Sequence, residues 1–344
     1  MDAIRKRCEC EVLGYTGKPD SYYRAIINWV KQRYDLDVTK EMINFVPGIV
    51  PGIGMAMNSF TRPGDKVMIQ PPVYHPFAWV TTRNERTLVT NPLKWENGMY
   101  RMDLDAFREQ VKGCKLFILC NPHNPGGVVW TEDELRTVAE ICYEEKVLVF
   151  SDEIHADLTL PPYKHRPFAT ISEKAKMNSV TFMSPSKAFN MPGLAASHAI
   201  IFNEDLRARF RKFMDAGELD MGHVFAFLSV EAAYTHGTEW LDQCLAYIQG
   251  NIDYVDNFLK THAPRIKAIR PQASYLVWLD CRELGLNQEA LNDFFADKAH
   301  LALNDGEMFG KEGIGFMRLN VASPRCIIEK AMKQLADAYQ LYIK

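Results

Sequence analysis

The sequence predicts an α/β fold in which helices cover a mainly parallel sheet, followed by a smaller α+β domain. The chain has 344 residues, and because domains commonly hold about 150 residues, this length favours two of them. Short apolar runs alternate with longer amphipathic segments over most of the chain. Continuous apolar strands separated by helices are typical of parallel sheets that are covered on both faces.

Five short runs predict the strands of the main sheet, at residues 66–70, 115–120, 147–151, 179–183 and 197–202. The last run opens with two polar residues, so its start is less sharply defined than the others. Between the second and third runs, Thr131 is followed three residues later by Glu134. This spacing is the pattern of a capping box, and it predicts a helix over residues 131–146.

The last third of the chain has a different pattern, with predicted helices at 224–259 and 288–298, strands at 275–279 and 316–320, and a final helix from about Pro324. Strands of this kind, mixed with helices, favour a separate α+β unit. We expect a long helix near residue 245 to bridge the two domains. The prediction is a large domain over residues 15–245 and a small domain over residues 246–344 that also includes residues 1–14.

The charge and hydropathy of the chain exclude several classes of function. Forty basic and forty-three acidic residues leave a net charge of −3, with a pI near 6.3. So small a charge gives no electrostatic reason to bind nucleic acid or an anionic membrane. No apolar stretch approaches the ~18 residues of a membrane span, and residues 1–7 do not lead into a signal peptide. We expect a cytoplasmic protein with a small-molecule substrate.

The eight cysteines do not form a metal-binding pattern. No C-x-x-C pair occurs, and although Cys8 and Cys10 lie close together, no second pair or nearby histidine completes a zinc set. We therefore expect reduced thiols and no metal site.

Four loops carry the candidate catalytic and ligand-binding residues. Residues 121–127 (NPHNPGG) form a tight loop after one predicted strand, with Asn side chains available as donors. Asp152 and Glu153 follow the next strand, at the sheet edge where open α/β folds bind ligands. Lys187 follows the strand after that, where low-dielectric surroundings favour the neutral amine that forms an imine. Residues 47–54 precede a helix whose free amides can hold a phosphate.

Each of these features alone has a simpler explanation. An acidic pair at a strand end is usually a helix cap or a surface pair, and a lone lysine is usually solvated. His155 alone is most often structural, and the glycines near residue 48 match neither GxGxxG nor GxxxxGK[ST]. The combination is more informative, because an imine-forming lysine, a carboxylate, an asparagine and a phosphate loop at one sheet edge are what pyridoxal phosphate requires.

The sequence resembles the fold-type I pyridoxal-phosphate enzymes of the aminotransferase class I/II superfamily, and within them the cystathionine β-lyase (C–S lyase) branch. The similar segments are 13–16 (LGYT), 72–77 (PVYHPF), 119–127 (LCNPHNPGG), 152–158 (DEIHADL), 184–194 (SPSKAFNMPGL) and 316–325 (FMRLNVASPR). They span nearly the whole chain in the family order. The resemblance implies an aspartate-aminotransferase-like fold and pyridoxal 5′-phosphate as cofactor.

The resemblance also implies roles for individual residues. Lys187 would form the imine with the cofactor and later move the Cα proton. Asp152 would pair with the pyridine nitrogen and keep it protonated. Arg318 would bind the substrate α-carboxylate through its guanidinium fork. The remaining implied cofactor contacts are Asn124 and His155 at the phenolic oxygen, Tyr74 on the ring face, and Ser184, Ser186, Gly48, Ile49 and Val50 at the phosphate.

Tyr15 would reach the phosphate in a neighbouring subunit, which implies a homodimer with shared active sites. Two positions depart from the family pattern. Ala195 stands where aminotransferases commonly carry an arginine, a difference that the lyase branch shares. Relatives also begin with a longer N-terminal arm that helps close the site, whereas this chain starts close to the GYT segment, so we expect that arm to be absent.

Three functions remain open from the sequence. The first is β-elimination from a sulfur amino acid such as cystathionine, which releases a thiol, pyruvate and ammonia. The second is transamination, in which the same lysine returns the proton to the cofactor instead of expelling a leaving group. The third is a regulator or binding protein that keeps this scaffold, since a fold does not fix a function.

Overall fold

The main sheet has seven strands, and its centre is parallel. A computed structural model describes residues 1–342, and the strands of this sheet are β1 (Ile43–Val46), β2 (Lys66–Ile69), β3 (Thr87–Thr90), β6 (Cys114–Cys120), β7 (Leu148–Asp152), β8 (Ser179–Met183) and β9 (Ser197–Ile200). Their order is β1-β9-β8-β7-β6-β2-β3. The strands from β3 to β8 run parallel, whereas β9 is antiparallel to both β8 and β1.

The remaining strands of the described residues form two smaller sheets. A hairpin consists of β4 (Lys94–Glu96) and β5 (Met99–Arg101), and a four-stranded antiparallel sheet consists of β10 (Lys267–Ile269), β11 (Leu276–Asp280), β12 (Asn304–Asp305) and β13 (Phe316–Asn320). The order in this second sheet is β10-β11-β13-β12.

Twelve α-helices surround the sheets within residues 1–342. They are α1 (Asp2–Cys8), α2 (Asp20–Tyr34), α3 (Ile49–Phe60), α4 (Pro76–Arg83), α5 (Leu104–Gln110), α6 (Glu132–Glu144), α7 (Glu173–Met177), α8 (Glu204–Ala216), α9 (Val224–His236), α10 (Thr238–His262), α11 (Gln288–Asp293) and α12 (Arg325–Tyr342). None of these helices is both long and apolar enough to cross a membrane. Within the same residues, no cluster of side chains suited to a metal ion occurs.

The two faces of the main sheet bury separate hydrophobic cores. Phe117 and Val149 face one core together with α5, α6 and α7, and Phe150 and Val180 face the other together with α3, α4 and α8. Successive strand residues point to opposite faces, so both faces must be apolar for the strand to be covered twice. This explains why the predicted strands have continuous apolar sequences.

The predicted main-sheet strands are confirmed, with end points that differ by one or two residues. The predicted helix at 131–146 is α6, and its capping box is present: the Thr131 hydroxyl accepts the Glu134 amide, and the Glu134 carboxylate accepts the Thr131 amide. The predicted segment 224–259 is divided into α9 and α10 at Gly237. A Cβ at this glycine would lie 2.3 Å from the Phe189 ring and 2.4 Å from the Ala233 carbonyl oxygen.

The topology places the loops that follow at least five strands at one edge of the sheet. The carboxyl ends of β2, β6, β7 and β8 lie at this edge. Strand β1 also ends there, because it is antiparallel to β9, which is itself antiparallel to β8. The second sheet is joined to the same region through Trp278 and Phe316, which belong to the core of the main sheet.

Candidate active site

A cavity of about 370 Å³ lies at the carboxyl edge of the main sheet, against the second sheet. Its lining includes the following residues that the sequence singled out: Gly48, Ile49, Val50, Tyr74, Asn124, Asp152, His155, Ser186, Lys187 and Arg318. Residues far apart in the sequence therefore meet at one place, as the positions of the strand ends predict.

Asp152, the last residue of β7, is a buried carboxylate at the base of the cavity, with 4% of its surface exposed. Its Oδ1 accepts the amide of Ile154 at 3.0 Å. Burial, with a smaller contribution from the charge of Glu153, raises the pKa of Asp152 to about 7, while the hydrogen bond from Ile154 and the charge of Lys187 oppose the shift. An ionised carboxylate in this position is stabilised by a cationic or hydrogen-bonding ligand group in the cavity.

Lys187 follows β8 and is partly buried in the same cavity. Burial lowers its pKa, the positive charge of Arg318 lowers it further, and Asp152 opposes both. The amine is therefore shifted toward its neutral form, which is the nucleophilic and proton-accepting form.

The turn before Lys187 is fixed by the hydroxyl of Ser184. This hydroxyl donates to the carbonyl of Ala196 at 2.8 Å and accepts the amide of Ser186 at 3.0 Å. Ser184 is buried behind the turn, whereas Ser186 lines the cavity. Ser184 therefore contacts the site through the backbone of Ser186.

Arg318 reaches the cavity from β13 of the second sheet. Its Nη1 donates to Oδ1 of Asn124 at 2.9 Å, so the guanidinium is tied to the loop after β6. The guanidinium also lies 4.7 Å from the ring centroid of Phe309. Burial lowers the pKa of Arg318 to about 10, a value at which it remains a cation at neutral pH.

Two further ring side chains of the cavity are held neutral. Burial lowers the pKa of His155 to about 3, and the charges of Lys187 and Arg318 add to this effect. The Nδ1 of His155 is buried and has no hydrogen-bond partner among residues 1–342. Burial, followed by the nearby charge of Asp152, raises the pKa of Tyr74. A neutral imidazole with an orphaned nitrogen is suited to a polar ligand atom.

Helix α3 points its amino end at the cavity. Gly48 is its N-cap, and the residues of its first turn, Ile49 and Val50, line the cavity together with Ser186. First-turn amides have no acceptor within the helix, so they are available to an anion, and the helix dipole favours negative charge there.

Tyr15 lies outside this cavity. It is 98% exposed, and its neighbours Val12 and Leu13 are 71% and 65% exposed. Several exposed apolar side chains close together along the chain are typical of a segment that contacts another molecule.

The cavity also contains residues that the sequence did not single out. Cys120 ends β6, Tyr275 precedes β11, and Asn320 ends β13. Cys120 could have been identified by the strand-end rule that identified Asp152. Tyr275 and Asn320 could not, since their position depends on how the second sheet packs against the first. A second cavity of about 300 Å³ shares Lys187, Tyr275 and Asn320 with the first.

The residues of the cavity fit the three polar parts of pyridoxal phosphate. The buried carboxylate of Asp152 suits a ring nitrogen that carries a proton, and the amino end of α3 suits a phosphate. The amine of Lys187 suits an aldehyde. Asn124 and the orphaned nitrogen of His155 are polar groups for the oxygen of the ring.

Known proteins resemble this chain over nearly its whole length. Residues 9–335 match the aminotransferase class I and II family. The chain is 38% identical over 339 residues to cystathionine beta-lyase PatB of Bacillus subtilis, and the alignment covers 98% of this chain and 88% of PatB.

Solved structures give the same result. Cystalysin from Treponema denticola, which contains pyridoxal 5′-phosphate, superposes with a TM-score of 0.96 at 35% identity, covering 100% of this chain and 87% of cystalysin. The pyridoxal-phosphate-bound C–S lyase of Staphylococcus hominis has a TM-score of 0.91 at 34% identity, covering 98% of this chain and 88% of the lyase. The chain therefore belongs to the aminotransferase class I and II family and has an aspartate-aminotransferase-like fold.

Proposed function

We propose that this chain is a pyridoxal-phosphate-dependent C–S β-lyase that acts on cystathionine or a related sulfur amino acid and releases a thiol, pyruvate and ammonia. The observation that supports it most is the meeting of Lys187, Asp152 and Arg318 in one cavity. The likeness to PatB, a cystathionine beta-lyase, favours the lyase over other reactions of the family.

The cofactor would be held at three points. Lys187 would bind its aldehyde carbon, Asp152 its ring nitrogen, and the phosphate would lie against the first turn of α3 and against Ser186, whose backbone amide is held by the hydroxyl of Ser184. Tyr74 would cover the ring, while Asn124 and His155 would contact the phenolic oxygen. Bound pyridoxal phosphate supplies an electron sink that stabilises a carbanion at the substrate Cα.

The side chains of the chain would perform the remaining tasks. Arg318 would hold the α-carboxylate, because a guanidinium fork binds a carboxylate through two parallel hydrogen bonds. Lys187, whose pKa is lowered by burial, would take the proton from Cα. The negative charge of Asp152 would keep the ring nitrogen protonated, which maintains the electron-withdrawing power of the ring.

An assay for pyruvate tests this function. The cofactor-loaded protein should release pyruvate from cystathionine without any 2-oxo acid. Turnover that occurs only when a 2-oxo acid is added would instead support an aminotransferase, the second candidate, which is favoured by the family match. A cofactor-loaded protein inert toward a panel of amino acids would support a binding protein.

Two variants connect this activity to the cavity. Lys187→Ala should lose both pyruvate release and the covalent cofactor adduct that borohydride reduction traps, whereas Lys164→Ala, at an exposed position, should keep both. Asp152→Asn should keep the fold but lose roughly several orders of magnitude in turnover, because a neutral amide does not hold the ring nitrogen protonated. A near-normal rate in the Asp152→Asn protein would remove Asp152 from this role.

We also propose that the protein is a cytoplasmic homodimer with shared sites that binds neither nucleic acid nor membranes. The exposure of Tyr15 supports the shared site. All eight cysteines are free thiols, five of them at least partly buried, which supports a reducing compartment. The proposed domains, 15–245 and 246–344 with 1–14, are supported by the separate hydrophobic core that the second sheet forms with α10, α11 and α12.

A further inference from the structure

The guanidinium of Arg318 is oriented by two neutral oxygens. Nη1 donates to Oδ1 of Asn124 at 2.9 Å, and Nη2 donates to Oδ1 of Asn304 at 2.8 Å. The Nε of Arg318 is buried and has no hydrogen-bond partner among residues 1–342. Since a guanidinium has five N–H donors and no acceptor, several donors remain for a ligand.

The contact with Asn304 is built into the second sheet. Strands β12 and β13 pair so that Asn304 lies directly opposite Arg318. Side chains of directly opposed residues in an antiparallel pair lie on the same face and contact one another. The register of the two strands therefore places the amide oxygen of Asn304 beside the guanidinium of Arg318.

The carboxylate next to Asn304 is held by other groups. Oδ1 of Asp305 accepts Nε2 of Gln288 at 2.6 Å and the amide of Glu307 at 2.8 Å, and Oδ2 accepts Nδ2 of Asn292 at 2.8 Å. Both carboxylate oxygens of Asp305 therefore have hydrogen-bond partners other than Arg318. Within residues 1–342, the acidic groups that oppose the lowered pKa of Arg318 are the phenols of Tyr74 and Tyr275 rather than a carboxylate.

We propose that Asn304 is a positioning residue for substrate recognition: it orients the guanidinium of Arg318 without neutralising it. An aspartate in the same place would form an internal ion pair and compete with the incoming carboxylate, whereas an amide oxygen holds the geometry and leaves the charge for the ligand. The inference deepens the proposed function, on which it rests for the identity of the ligand as the α-carboxylate of an amino acid.

The test measures carboxylate binding separately from turnover. The probe is 3-(methylthio)propionate, a thioether carboxylate without an amino group, and its methyl ester is the uncharged counterpart. Calorimetric titration of the cofactor-loaded protein compares wild type with Asn304→Asp and Asn304→Ala. Asn304→Asp should bind the carboxylate about 10- to 100-fold more weakly, the range of a hydrogen bond to a charged group. Asn304→Ala should lose less, and the ester should bind all three proteins equally.

The matched control is Asn287→Asp, which makes the same chemical change at an exposed residue. Asn287 is the N-cap of α11, where its Oδ1 accepts the amide of Ala290, and aspartate caps a helix as well as asparagine does. This variant should bind the carboxylate like wild type. The visible spectrum of the bound cofactor and the melting temperature of each variant verify that the site and the fold are intact.

Kinetics with S-methylcysteine separate positioning from a general structural role. Asn304→Asp should raise KM by about 10- to 100-fold and change kcat little, because Arg318 contacts a part of the substrate that does not react. Equal carboxylate affinity in wild type and Asn304→Asp would overturn the inference, and so would a fall in kcat at constant KM. A wild type that binds the ester as tightly as the acid would also overturn it. None of these binding results depends on whether the reaction is elimination or transamination.

Discussion

Burial sets the protonation of the single residues around the cavity, and it acts in opposite directions on acids and bases. It raises the pKa of Asp152 and lowers those of Lys187 and His155. In each case the charged form is disfavoured because the low-dielectric surroundings replace water. The cavity therefore carries less charge than its residue types imply, while Arg318 in the same cavity remains a cation that can pair with an anionic ligand group.

The raised pKa of Asp152 predicts a pH-dependent contribution to the stability of the cofactor-free protein. Between the ordinary value of 3.8 and about 7, the folded state binds a proton that the unfolded state has released. The stability that this provides is complete below pH 3.8 and is lost as pH rises through about 7, with a slope of at most about 1.4 kcal/mol per pH unit.

Urea unfolding of the cofactor-free wild type and of Asp152→Asn over this pH range measures the effect. The difference in unfolding free energy, wild type minus variant, should fall as pH rises from about 4 to about 7. Subtraction removes groups common to both proteins, such as His155, whose lowered pKa acts in the opposite direction by reducing stability as pH falls. A difference that stays constant with pH would contradict the raised pKa of Asp152.

Sequence patterns predicted residues at the ends of buried strands, and the family resemblance added others, such as Arg318 of the second sheet. The remaining residues that the second sheet contributes were missed. Asp152 lines the cavity because it ends the buried parallel strand β7, and Asn124 because it lies in the loop after β6. Tyr275 directly precedes β11 and Asn304 lies in β12, and the short sequences of these antiparallel strands do not indicate which strand lies opposite which. Their place is set by register and by packing between sheets, which are not local properties of the sequence.

At the scale of elements, buried strands and capped helices were predictable, and short or edge strands were not. Strand β3 is half-exposed at the sheet edge, and β1 has a polar residue, Asn44, in its middle. The side chain of Asn44 is buried because its Nδ2 donates to the carbonyls of Met42 and Ala199. A buried polar residue that is satisfied by tertiary contacts gives no hydrophobic pattern from which a strand could be predicted.

The capping box of α6 provides a prediction at this scale. Thr131→Ala should lower the unfolding free energy by about 1 kcal/mol, because an amide at the start of the helix loses its side-chain acceptor. The midpoint of urea unfolding, followed by circular dichroism, measures this loss. Thr137→Ala, within the same helix, is the control and should be neutral or slightly stabilising, since alanine has the higher helix propensity. A Thr131 variant as stable as the Thr137 variant would show that the box contributes nothing.

One loop element depends on glycine. Gly127 closes the segment after Asn124 at φ +65°, and a Cβ there would lie 2.5 Å from Cβ of Pro271. The carbonyl of Gly127 accepts the amides of Gln272 and Ala273, so this close approach ties the loop to the segment that leads into the second sheet. The second glycine of the NPHNPGG motif is thus explained by the close approach of this loop to the segment before the second sheet, which the sequence alone did not reveal.

At the scale of the whole molecule, the active-site cavity belongs to both sheets. Trp278 and Phe316 of the second sheet stack with ring centroids 5.3 Å apart and lie within the core of the first. Arg318, on the same strand as Phe316, reaches Asn124 on the main sheet. A substrate that binds Arg318 while its cofactor is held by the main sheet would therefore bridge the two sheets, so substrate binding and the packing between sheets are energetically coupled.

The segment around Tyr15 lies exposed on the surface of the chain. Tyr15 has almost no contact with its own chain, and Val12 and Leu13 beside it are also exposed. If Tyr15 contacts the phosphate in the site of a second copy, each site of the dimer is assembled from Lys187 of one chain and Tyr15 of the other. A two-fold symmetric dimer then holds two such sites.

Mixing two inactive variants tests this arrangement. Lys187→Ala removes the amine, and Tyr15→Asp places a negative charge where the phosphate would lie. In a heterodimer one site has both defects and the other has neither, so activity should return to about one quarter of the wild-type level after random exchange of subunits. Tyr15→Phe, the milder variant, should only weaken cofactor affinity, by about 1.5–3 kcal/mol for a hydrogen bond to a charged group. If the mixture stays inactive although tagged subunits are shown to exchange, Tyr15 acts within its own chain and the two sites are independent.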